Sequence, residues 1–241
     1  MFKIWIIAQR ELQSFFDSLM AYILLVLFLG FSGLFTWLYG ADVFISGQAS
    51  LRSFFSIAYW TLFFFIPALT MKSLAEERKT GTIELLLTKA VTDRQVILGK
   101  FLSIVMLIAI ALVFTLPYYL TVASIGPIDH GATLLGYVGL LLMSATYISL
   151  GIYTSSLTNN QIVAFLLSIF IGLLFHLVFD VLAANFTGIV GELLATLSLS
   201  THFESISRGV MDSKDLVYFI SFITLCLFLA EVSLAKRNVI K

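Results

Sequence analysis

Cysteine, proline and charge are all scarce in this 241-residue chain, and each scarcity excludes something. One cysteine, Cys226, rules out a disulfide framework or a CxxC site; inside an apolar run it reads as a small buried hydrophobe. There are three prolines, no linker rich in Gly, Ser or Pro, and no internal repeat, so the chain reads as one domain. Charged residues make up 12%, about half the share of ordinary soluble domains. Hydrophobic residues make up 60%, with a mean hydropathy of +1.03. A globular core of this size cannot enclose so much apolar surface, so lipid must be the solvent for most of it. The formal net charge of zero carries no signal for nucleic acid. The early charges Lys3, Arg10, Glu11 and Asp17, and the long apolar run after them, do not fit a cleavable signal peptide.

Catalytic motifs are missing as well. No GxxxxGK[ST] loop occurs, and Gly99-Lys100 lacks the upstream glycine, so phosphates cannot be cradled by that route. His130, His176 and His202 are scattered, with no HExxH and no cysteine partner, and no GxSxG elbow is present. The chain is expected to be no enzyme and to hold no metal or cofactor.

What is present is a series of apolar spans. A hydrocarbon core about 30 Å thick needs about 20 apolar residues in helical form. Residues 19–41, 54–71, 101–125, 133–154, 162–181 and 216–235 meet this. The polar knot Ser155-Ser156-Leu157-Thr158-Asn159-Asn160-Gln161 separates the fourth span from the fifth. The expected fold is therefore an all-α polytopic membrane protein with six transmembrane helices. Eleven basic residues fall on the side of the N-terminus and three (Arg52, Arg208, Lys214) on the other. By the positive-inside rule both termini are cytoplasmic.

Residues 1–18 precede the first span. Phe2, Trp5, Leu12, Phe15, Phe16 and Leu19 share one helical face, while Lys3, Arg10 and Asp17 mark the other, as in an amphipathic helix at the inner interface. It serves either as an anchor or as a surface for a cytoplasmic partner. Pro67 and Pro117 predict kinks in the second and third spans. Residues 183–214 are too polar to span and too apolar for a free loop, which predicts short helices dipping into the outer leaflet or capping the bundle.

The most informative segment is the cytoplasmic island at 76–100. Glu76 and Lys79 stand on an extension of the second helix, and Gly81 breaks it. Ile83, Leu86, Leu87 and Ala90 then recur on one helical face, with Glu84 off that face. Thr92-x-x-Gln95 is a capping-box pattern opening the next helix. A lateral amphipathic helix of this kind either lies on lipid or is gripped by a soluble partner, and the second reading is the better one, since a plain charged loop would serve the first.

Glu-Glu-Arg-Lys-Thr-Gly-Thr-Ile-Glu-Leu-Leu-Leu-Thr at 76–88, followed by Gly99-Lys100-Phe101, resembles the signature between the second and third helices of ABC-2-type transporter permeases. Residues 151–165 and 199–216 agree, and together the segments look most like the permease subunit of the bacterial gliding-motility ABC transporters, the GldF-like group. The resemblance implies a multi-pass permease of the bacterial inner membrane, acting as an exporter. It implies that residues 2–16 are the interface helix and that 82–88 form the coupling helix, seated in a separate ABC ATPase subunit that binds the ATP and Mg. The coupling residues would be Glu76, Glu77, Arg78, Lys79, Gly81, Thr82, Ile83, Glu84, Leu86 and Leu87, with a smaller contact from 155–161. Six helices are half a transporter in this family, so a second permease copy or a sister permease is expected. The external segments are too short to capture a substrate, and an auxiliary subunit with a large external domain is a further expectation.

In the fifth span Ala164, Ser168, Gly172, His176 and Asp180 follow at four-residue steps, either as intrachain packing or as a dimer seam. Asp180, with His176 before it, is a candidate polar site at membrane depth unless Asp180 has already reached the outer interface. Two other classes remain open. A non-transporting scaffold or force transmitter would use the same grip on an ATPase. A secondary transporter should show repeated halves and midplane charges, which are not visible.

Overall fold

The computed structural model describes residues 2–38, 47, 49–81 and 91–236. Of the expected coupling helix, Thr82, Ile83, Glu84, Leu86 and Leu87 lie outside the described residues. In chain order the helices are α1 (Phe2–Asp17), α2 (Leu19–Trp37), α3 (Arg52–Thr70), α4 (Ala75–Thr80), α5 (Asp93–Val113) and α6 (Leu116–Ile125). They are followed by α7 (His130–Leu157), α8 (Gln161–Leu173), a π turn (Leu174–Val178), α9 (Phe179–Asn185), α10 (Ile189–Leu197), α11 (Leu199–Ser207) and α12 (Ser213–Ala235). Among the described residues six helical stretches are long and apolar enough to cross a membrane: Leu19–Trp37, Arg52–Thr80, Asp93–Ile125, His130–Leu157, Gln161–Asn185 and Ser213–Ala235. The all-helical, six-span expectation holds.

α7 is the central helix. Leu140, Met143, Tyr147, Ile148 and Ile152 on it are buried, and α3, α5, α8, α11 and α12 pack around it. Its 28 residues measure about 42 Å, more than the hydrocarbon thickness, so it projects beyond the lipid. The core between α3, α5 and α7 is filled by Leu62, Phe63, Ile66, Ile104, Leu107 and Ile108.

The two prolines behave differently. Pro67 sits inside an unbroken α3. Pro117 divides the third span: α5 ends at Val113, whose carbonyl receives no hydrogen bond from the proline because the ring nitrogen carries no hydrogen, and α6 restarts with the ring in its first turn. Thr115 in the break satisfies itself by donating to the Leu112 carbonyl at 2.6 Å.

α1 presents two apolar faces where periodicity suggested one. Ile7 and Ala8 are buried against the bundle, while Phe2, Trp5 and Ile6 point outward. The close approach is made possible by Gly99 at the head of α5: a Cβ there would lie 2.5 Å from Ile7 Cγ2 and 3.3 Å from the Ile4 carbonyl. At the opposite end α10 packs against α9, and α11 lies on the bundle. α11 packs on α7 through Phe203 and Ile206, and α10 leaves Ile189, Val190 and Leu193 exposed.

Candidate functional site

At the end of the bundle carrying both termini, a buried lysine organises three elements. α3 ends at Thr70, a turn follows, and α4 continues as a short stalk until Gly81 closes it in the left-handed conformation, φ 72°. Ser155 of α7 holds the turn. Its Oγ accepts from the backbone N–H of Leu74 at 3.1 Å and of Ala75 at 3.0 Å, and donates to the Met71 carbonyl at 3.0 Å. These N–H groups at the start of α4 have no partner within the helix, so one hydroxyl caps the stalk.

From this stalk Glu77 reaches Lys100 of α5, whose Nζ donates to Glu77 Oε1 at 2.7 Å and to Glu11 Oε2 of α1 at 3.3 Å. Arg10 closes the chain of charges at 2.7 Å from Glu11. Two carboxylates and two cations thus balance around a lysine that is 3% exposed. Burial works against the Glu11 carboxylate, but Lys100 and Arg10 outweigh it and hold its pKa below the ordinary carboxylate range. Glu77 Oε2 is buried without a partner among the described residues. The cluster borders a cavity of about 330 Å³ between α1, α3–α4 and α5. Arg78, on the next residue of the stalk, donates to the Ser233 carbonyl at 3.1 Å and so ties α4 to the end of α12. Thr92 and Gln95 form the reciprocal capping box that opens α5, each bond 3.3 Å.

At the other end, His176 sits in the π turn. Steps of four residues drift by about 40° each on a regular helix of 3.6 residues per turn. The wider turn absorbs part of that drift, so His176 stays on the buried ridge of Ala164, Ser168 and Gly172. That ridge packs within the chain, with Gly172 against Phe63, Tyr147 and Leu150. The His176 ring is stacked on Tyr59 (4.1 Å) and Phe63 (4.6 Å) with Trp60 edge-on at 4.3 Å. Its Nδ1 is hydrogen-bonded to the Tyr147 hydroxyl, and its Nε2 has no partner among the described residues. Ser200 of α11 donates to the His176 carbonyl and also meets the Tyr59 hydroxyl. Asp180, half-buried one turn on, accepts from Thr201 at 3.5 Å. Tyr59, Trp60, His176, Asp180 and Ser200 line a cavity of about 320 Å³ between α3, the π turn, α9 and α11.

The sequence matches the model of the ABC-2 family transporter protein family over residues 5–224. The chain belongs to the ABC-2 transporter family. No curated protein matches it. This ABC-2 chain is accordingly a multi-pass membrane subunit of an ABC transporter, of a family that normally partners with an ABC ATPase.

Among the described residues of the ABC-2 signature, Glu76, Lys79 and Gly81 are exposed on the stalk, whereas Glu77 and Arg78 turn inward to bind α5 and α12. The knot at 155–161 divides similarly: Ser155 and Ser156 are buried, and Leu157, Asn159 and Asn160 are exposed. Glu11 and Lys100 were not legible as a pair, because they lie 89 positions apart. His176 and Asp180 line one cavity but do not touch each other in any hydrogen bond described here.

Proposed function

We propose that this chain is the permease half of an ATP-driven exporter, moved by nucleotide-binding subunits that are separate polypeptides. In this reading residues 76–87, with Ile83, Leu86 and Leu87 as the apolar anchor and Glu76, Glu84 and Lys79 around it, seat in the ATPase, while ATP and Mg are held by that partner. A second permease copy or a sister permease completes the pathway, and the complex sits in a bacterial inner membrane. The gliding-motility branch is the nearest in kind, with an auxiliary subunit carrying the external domain.

The observation that carries the reading is the Lys100 cluster. It joins the interface helix, the stalk and the third span, and the last two flank residues 82–90 in sequence. A displacement of that segment is therefore delivered to α1, α3 and α5 together, as a rigid lever requires. Photo-crosslinkers placed singly at Ile83, Glu84, Leu86 and Leu87 in native membranes are expected to capture a protein with a P-loop. Capture of no such protein from any position, in cells where the transporter is assembled, rejects the coupling reading.

A further inference from the structure

The cavity between α3, the π turn, α9 and α11 carries two charges of each sign on an aromatic lining. Arg52 and Arg208 contribute the cations, Asp180 and Glu204 the anions. Tyr59 forms its floor, stacked between His176 at 4.1 Å and Phe203 at 4.8 Å. The charges neutralise one another only in part: Arg208 pairs with Glu204 at 3.9 Å, both side chains more than half exposed, and its Nε donates to the Glu204 carbonyl at 3.1 Å. The Arg52 guanidinium makes no ion pair or hydrogen bond among the described residues, and it also lines an adjoining cavity of about 220 Å³ together with Arg208. His176 Nε2 on the lining is buried and has no partner among the described residues.

A second groove continues from this one. About 350 Å³ in volume and almost purely apolar, it runs between α2 and α3, lined by Phe31, Phe35, Phe64, Phe65 and Trp60. Trp60 lines both spaces. Phe64 lies twelve residues along α3 from Arg52, about 18 Å, slightly more than half of a hydrocarbon core about 30 Å thick. The charged cavity is thus at headgroup level, and the apolar groove descends through one leaflet.

We propose that a zwitterionic phospholipid of the leaflet opposite the termini binds here. Its phosphate faces Arg52 and Arg208, its ammonium faces Asp180 and Glu204, and an acyl chain follows the groove past Trp60. The net charge of the lining decides the class. An anionic headgroup meets Asp180 and Glu204 with nothing to offer them, and a simple cation meets the two arginines; a headgroup carrying both charges satisfies both pairs. His176 Nε2 is available to a glycerol or ester oxygen. The inference uses the membrane-spanning architecture and is independent of ATPase coupling.

The test is quenching of Trp60 by phospholipids brominated on the acyl chain, with Trp60 isolated as the difference between wild type and Trp60→Phe. Brominated phosphatidylethanolamine is expected to quench at several-fold lower mole fraction than brominated phosphatidylglycerol, and Arg52→Gln and Asp180→Asn are each expected to abolish that preference. Both positions are at least partly exposed, so the variants should fold; co-purifying lipid of the wild-type protein, measured by mass spectrometry, should be enriched in the zwitterionic class. Equal quenching by the two lipids overturns the proposal, as does absence of quenching because a second copy of the chain covers the groove. Complete competition by free phosphoethanolamine also overturns it, assigning the cavity to a soluble zwitterion.

Discussion

Lys100 donates to Glu77 across 2.7 Å although the two stand on opposite limbs of the hairpin that leaves and re-enters the membrane. The bond closes the hairpin at its base, and the further contact to Glu11 fastens the N-terminal helix to the same point.

Lys100→Met should therefore be more damaging than its size suggests. It strands the Glu11 and Glu77 carboxylates in a partly dry site, where breaking one partner of a buried pair costs about 3–5 kcal/mol. Thermal unfolding in mild detergent should show the loss, and Glu77→Gln in the Lys100→Met background should restore part of it. A pair that contributed nothing would leave all three proteins alike.

The two carboxylates of this cluster respond to pH with opposite signs: burial raises the Glu77 pKa, whereas Glu11 is the one held low. With its native pKa held below the unfolded value near 4.5, Glu11 contributes stability that is complete above that value and is lost as the pH falls through the lower, native one. A fluorophore on α1 should report release in acid only, and Glu11→Gln should remove that acid step while leaving the neutral-pH baseline already loosened.

Gly99→Val tests the seat of α1 without touching charge. The added side chain collides with Ile7 and the Ile4 carbonyl, so α1 must lift. Protease cleavage between residues 2 and 17 should accelerate by about tenfold, the effect of roughly 1.4 kcal/mol, while the rest of the bundle keeps its thermal midpoint. Ile7→Ala should partly compensate.

At the opposite end α11 is tied to the start of α12 by a buried pair. His202 Nδ1 is hydrogen-bonded to Asp215 Oδ1 at 2.6 Å, its Nε2 meets the Thr196 carbonyl at 3.1 Å, and the ring stacks on Tyr218. Asp215→Asn is predicted to free α11 from α12, again at about 3–5 kcal/mol, seen as faster hydrogen exchange confined to residues 189–215.

The legibility of this protein follows from the range of each force. Six spans, the amphipathic first helix, the Gly81 stop and the Thr92–Gln95 cap could all be read because each depends on residues within one or two turns of each other. The break before Pro117 was half-read: the ring forbids one hydrogen bond, but whether the helix continues past the gap, as at Pro67, or restarts after it depends on neighbours. The two-faced character of α1 was hidden because hydrophobic periodicity does not distinguish a face turned to lipid from one turned to protein.

By itself, then, the sequence determined solvent, span count and the charged hairpin, because insertion into lipid is a local transfer problem decided residue by residue. Only the tertiary structure decided that Glu11, Glu77 and Lys100 meet, that Ser155 caps the stalk, and that a π turn carries His176 into an aromatic enclosure. Those arrangements join residues up to 89 positions apart, and their energies exist only once the helices have packed.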